Sequence, residues 1–132
     1  MKKGNTMLKL AGYSLAILIL CSGQLFAQEE EEEALSGREL LANCEQGAAP
    51  GQPNQYCMQY VFGLVQTVVM LQQAAPDQAP LFCIDPNAVS LPEVTEQVVK
   101  WLRGVGDRLD EDAYVLVSEA LHTRYPCKPG VI

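Results

Sequence analysis

The chain has a single histidine, His122, and no Cys-x-x-Cys pair. A zinc site needs several ligands at close spacing, so no metal site is expected. It has no glycine-rich phosphate loop and no internal repeat. Basic residues are scarce, with Lys+Arg 9 against Asp+Glu 16 and a net charge of −7. That balance argues against nucleic acid or an anionic membrane surface as a partner. A catalytic nucleophile needs a base within reach. The hydroxyl candidates are Ser90, Ser118 and Thr123, and the one imidazole is next to Thr123 in sequence, where helix neighbours point apart. The carboxylates at Asp110, Glu111 and Asp112, and at Glu93 and Glu96, stand where helices should begin. No catalytic residue, no cofactor and no enzymatic activity are therefore expected.

What is present begins with an export signal. Lys2, Lys3 and Lys9 precede an apolar run over 10–20, and Ala27 offers a small residue before a cut at Gln28. The run is marginal as a membrane anchor, since a spanning helix needs about 20 apolar residues. Cys21 follows Leu20, where a lipidation signal would want a small residue. We read 1–27 as a signal peptide that is removed, which places the product in the periplasm, off the membrane. Losing Lys2, Lys3 and Lys9 leaves six basic against sixteen acidic residues, a net charge of −10.

Residues 28–35 contain Glu29 to Glu33 in succession and read as an acidic, disordered linker. A helical domain over 36–128 follows. Ser36 and Glu39 have the spacing of a capping box, opening a short helix over 37–46. Turn formers fill 47–54. The stretch 57–72 is apolar at helical spacing and on its flanks, and it reads as a buried central helix over 55–73. Gly63 in its middle costs roughly 1 kcal/mol against Ala, which suggests close approach of a neighbouring helix.

Residues 74–87 carry Pro76, Pro80 and Pro86 and read as an irregular connection, with Leu81, Phe82 and Ile84 folding back onto the helices. Ser90 and Glu93 form a second capping-box pattern, with Pro92 in the first turn. Val94, Val98, Trp101, Leu102 and Val105 then share one helical face, with Trp101 as a core anchor. Ala113, Leu116, Val117, Ala120 and Leu121 mark the buried face of a last helix that stops before Pro126. The fold class is all-α, a small four-helix domain stapled by two disulfides.

Four cysteines remain after cleavage: Cys44, Cys57, Cys83 and Cys127. An even number in a short exported chain implies two bridges, with three pairings open. Cys44 closes the first helix and Cys57 opens the second across a short loop. Cys83 lies past the far end of the second helix, where an up-and-down bundle would deliver Cys127. The expected pairs are Cys44–Cys57 and Cys83–Cys127.

An ordered set of short motifs resembles the Rap/Tai family, the type VI secretion amidase immunity proteins. Leu40, Leu41 and Cys44 match its leading Leu-Leu-x-x-Cys. The stretch with Cys57, Tyr60, Val61 and Gly63 is similar to its Cys-x-Gly-Tyr-Ile-x-Gly pattern. Phe82, Cys83 and Ile84, a proline, then Val94, Thr95 and Gln97 resemble its Cys-Leu-Pro…Val-Thr…Gln segment. Ala120, Leu121, Tyr125, Pro126 and Cys127 resemble its Ala-Leu…Phe-Pro-Cys ending. The chain departs from the pattern with Gln59 for a glycine, Gln66 where an aspartate often stands, and Pro92 ahead of the Val-Thr pair. The resemblance implies a periplasmic, all-helical, often dimeric protein that binds and blocks a peptidoglycan-degrading amidase toxin. Its implied partners are that secreted effector and a second copy of the chain, forming a homodimer. The loops 47–54 and 74–87 are the natural places for the toxin contact. The alternative is a periplasmic helper resembling the HdeA-type acid chaperones, which exposes apolar surface as carboxylates protonate.

Overall fold

The computed structural model describes residues 33–50 and 52–129. The signal peptide expected over 1–27 and residues 28–32 of the expected linker lie outside the described residues. Four helices follow one another: α1 Gly37–Glu45, α2 Gln55–Ala74, α3 Leu91–Gly104 and α4 Ala113–Arg124, with a 3-10 turn at Gly106–Arg108 between the last two. Among the described residues there is no strand, only an isolated bridge between Ser36 and Asp112.

The helix starts follow local chemistry. The Ser36 hydroxyl accepts from the Glu39 amide at 3.3 Å, and the Glu39 carboxylate accepts from the Ser36 amide at 3.0 Å. This closes the expected capping box and holds the Glu39 carboxyl below its ordinary range. At α3 only half of the second box forms. The Ser90 hydroxyl accepts from the Glu93 amide at 3.4 Å, and no return bond from the Glu93 carboxylate is made. Asn54 caps α2, its Oδ1 accepting from the Cys57 amide at 2.9 Å. Its Nδ2 donates to the Gln46 carbonyl at 3.1 Å and to that of Asn43, so one side chain joins the end of α1 to the start of α2.

Both bridges form as the order of the helices requires. Cys44–Cys57 spans a Cα–Cα distance of 4.8 Å and Cys83–Cys127 one of 4.9 Å. The linker ends earlier than expected. The Leu35 carbonyl accepts from the Ala113 amide at 2.7 Å, and the Leu35 side chain packs against the core.

The core contradicts one expectation. α2 is not the central helix. It contributes only Cys57 and Val61 to the buried set, whereas α3 contributes Val94, Val98, Val99 and Leu102 and α4 five residues from Ala113 to Leu121. α3 packs against all three others, as does the short α1, and it meets both long neighbours, α2 and α4, most extensively. Length explains the change. At 1.5 Å per residue α2 is about 30 Å long, while α1 is about 14 Å and α3 about 21 Å. Such short partners cannot cover so long a rod. Leu64, Val65 and Val68 rest against the core, and the opposite face stays uncovered, with Phe62 51%, Met70 67% and Leu71 64% exposed.

The expected close helix at Gly63 is likewise absent. A Cβ there would meet nothing within 4 Å. The tight glycine is Gly37, where a Cβ would run into the buried Leu116 side chain and the Leu109 carbonyl.

Two outcomes follow from these placements. In urea denaturation, Gly37→Ala should destabilise the domain by about 1–3 kcal/mol through overpacking. Gly63→Ala should stabilise it by about 0.5–1 kcal/mol. The reverse order would refute the packing. Separately, Cys44 and Cys57 are buried while Cys83 is exposed. Limited thiol treatment followed by alkylation and mass spectrometry should therefore label Cys83 and Cys127 well before Cys44 and Cys57.

Candidate partner-binding surface

No described cluster of three or more His, Cys, Asp or Glu could hold a metal. Several of the chemistry-bearing side chains have structural partners. His122 Nδ1 lies 2.6 Å from the Leu81 carbonyl, an acceptor, so the proton sits on Nδ1 and the ring ties the α2–α3 connection to α4. Ser90 is a helix cap. Asp110 accepts from Arg38 Nε at 2.9 Å. Arg108 forks between Glu111, at 2.7 Å, and Glu119, at 2.8 Å. The hydrogen bonds from these arginines hold the carboxyls of Asp110, Glu111 and Glu119 below their ordinary range. Arg103 pairs with Glu45 at 2.6 Å, joining the ends of α3 and α1.

The residues carried by the family-like motifs are scattered through the scaffold. Val94 is buried in α3, while Trp101 and Tyr60 are half-buried against the core. Burial pushes the Tyr60 phenol above its ordinary value. Gly63 is exposed on α2, and Pro126 is exposed beside Cys127. They hold the framework and do not converge on one site.

What does converge is apolar surface. Residues 46–76 contain no Asp, Glu, Lys, Arg or His, in a chain of net charge −7. The exposed side of α2 is therefore uncharged, with Tyr56, Phe62, Met70 and Leu71 interspersed among Gln55, Gln59, Gln66 and Gln73. Beside its C-terminal half lies a groove of about 690 Å³, walled by Val65 and Val69 on one side and by Pro76, Pro80, Phe82 and Ile84 on the other. The connection forms this wall because it folds back as expected: Phe82 is buried, Ile84 packs on the core, and the Cys83 amide donates to the Tyr125 carbonyl at 2.9 Å. Leu81 does not fold back and is exposed. Gln72 Nε2 is buried in the groove wall with no protein acceptor.

Two smaller hollows lie elsewhere, neither lined by α2. One of about 550 Å³ lies over α4, with Leu81, Tyr114 and His122. The other, of about 420 Å³, lies along the 47–53 loop and mixes Glu45 and Glu96 with Lys100 and Arg103. The two loops expected to carry partner contacts thus each border a hollow. The exposed residues of α2 were not expected, and the long charge-free stretch did not distinguish them from a buried helix.

Exposed large apolar side chains beside a largely apolar groove are the kind of surface that marks interaction sites. Residues 36–127 match the family described as Rap1a immunity proteins. No curated protein and no solved structure matches the chain. The family match takes in all four helices and both disulfides. It supports an immunity role exerted through a protein partner, and the chain belongs to the Rap1a immunity protein family.

Proposed function

We propose that the chain is a periplasmic immunity protein that binds and blocks a peptidoglycan-degrading amidase, with no chemistry of its own. The observation that carries this reading is the family match over 36–127. An inhibitor needs only a complementary surface with a few desolvated anchors. The exposed apolar residues and the two loop-bordered hollows supply that kind of surface. The acidic balance of the rest of the chain suits a basic effector, whose approach it would steer. Residues 1–27 would direct export and then be removed, leaving 28–33 as an acidic tether ahead of the domain. The partners on this reading are the amidase and a second copy of the chain, with neither nucleic acid nor membrane involved.

The acid-chaperone alternative is the weaker one. Among the described residues the only buried polar side chain is Thr95, whose hydroxyl donates to the Leu91 carbonyl at 2.8 Å. No buried carboxylate is present there to open the core on protonation. The lowered carboxyls belong to exposed residues. A depressed folded pKa contributes stability above the ordinary carboxylate range, and that stability is lost as pH falls through the lowered value. Exposed pairs make this loss small.

Two outcomes test the reading. Production of the full chain should rescue cells whose periplasm receives its cognate peptidoglycan amidase, while a form lacking 1–27 should not. Lysis despite the full chain, or equal rescue by both forms, would count against it. Between pH 7 and about pH 3, helical circular dichroism and hydrophobic-dye fluorescence should stay nearly constant. A steep dye increase with protection of client proteins would favour the chaperone.

A further inference from the structure

The groove beside the C-terminal half of α2 carries polarity of one kind. Its apolar walls are interrupted by Gln66, Gln72, Gln73 and Gln78, and Asp85 is the one charged residue on its lining. A glutamine amide both donates and accepts, without charge. Gln72 stands apart, because its Nε2 is enclosed and meets no acceptor in the protein. A buried N–H group left unpaired costs free energy that a partner's carbonyl would recover. Asp85 is exposed. Its Oδ1 accepts from the Asn87 amide at 2.9 Å, and among the described residues no Lys or Arg pairs with it.

These features select the occupant. An acyl chain would fill the apolar walls but bring the glutamines no partners along its length. A sugar would bring polar partners but little for the aliphatic walls. An extended peptide brings one uncharged donor and one uncharged acceptor per residue, beside side chains that can be apolar. The walls cannot answer that backbone with amides of their own. Those of α2 are spent within the helix, and Pro76, Pro80 and Pro86 have none. The glutamine side chains take their place. Val65 to Gln72 covers about 10 Å of helix, the length of about three extended residues.

We propose that the groove between α2 and residues 76–86 receives an extended, apolar, uncharged segment of the amidase, about three residues long. One backbone carbonyl of that segment accepts from Gln72 Nε2, whose side chain turns toward the groove to make the bond. An adjoining Lys or Arg of the amidase meets Asp85. The site rests on the amidase reading above and gives its partner a place on the chain. The acidic balance of the whole chain draws a basic effector in, and the uncharged groove then takes its apolar segment, with one ion pair to set the direction.

Calorimetric titration of the chain with its cognate amidase tests the site. Val69→Glu, which places a charge against the apolar wall, should weaken binding at least about 100-fold. Gln72→Leu should weaken it about 10-fold and yet raise the unfolding midpoint, because it removes an unpaired buried donor. A purely structural residue would not lose affinity while gaining stability. Asp85→Asn should weaken binding about 3-fold and reduce its dependence on salt. Unaltered affinity in both Val69→Glu and Gln72→Leu would overturn the proposal and leave the amidase reading standing. Absence of binding by the unaltered chain would overturn both. Weakening in Val69→Glu alone, with a lowered midpoint, would overturn the proposal as damage to the fold. Binding of a fluorescent long-chain fatty acid, lost in Val69→Glu while amidase binding persists, would overturn it too and assign the groove to a lipid.

Discussion

Burial of one face of α3 is the constraint from which the rest of the domain follows. Val94, Val98 and Leu102 repeat at helical spacing and are shut off from water, together with Thr95 and Val99. A fully buried aliphatic side chain of this size gains about 1.5–3 kcal/mol over an exposed one. A helix with so dense a buried stripe has to be covered on several sides. α1, α2 and α4 provide the cover, and the fold is the arrangement that lets all three reach it. Thr95 is tolerated in the core because its hydroxyl is satisfied within its own helix.

With α3 at the centre, α2 becomes a long strut fixed at its start. The Cys44–Cys57 bridge and the Asn54 side chain hold its first turn against α1. In the chain-entropy view a bridge closing a loop of this length stabilises by roughly 3 kcal/mol. Further along, α2 outruns its partners, and its uncharged outer face stays exposed. The connection after α2 is held back by three anchors: buried Phe82, the His122–Leu81 hydrogen bond and the Cys83–Cys127 bridge. The same anchors shape the groove. The elements that close the fold therefore also wall the groove.

Much of this was legible in the chain. The buried face of α4 follows directly from the spacing of Ala113, Leu116, Val117, Ala120 and Leu121, all fully enclosed. The Ser36–Glu39 capping box and both cysteine pairings follow from local chemistry and helix order. The role of α2 was not legible, for a physical reason. An apolar helix must be hidden from water, but its composition does not say whether its own chain or another molecule hides it. Gly63 misled in the same way, since a helix glycine implies a close neighbour only if one lies on that side. The absence of charge over 46–76 could not settle it, because a helix buried within its own chain also lacks charge. Gly37, the glycine that is truly crowded, looked like an ordinary first-turn residue. Its constraint comes from Leu109 and Leu116, distant in sequence.

The fold depends on α3, not α2, being the helix that everything else encloses. Native-state hydrogen exchange tests this most directly. Amides in the middle of α3 and α4 should exchange only through global unfolding, while those in the last two turns of α2 should exchange through local opening at distinctly lower free energy. Protection along the whole of α2 equal to or above that of α3 would contradict the account.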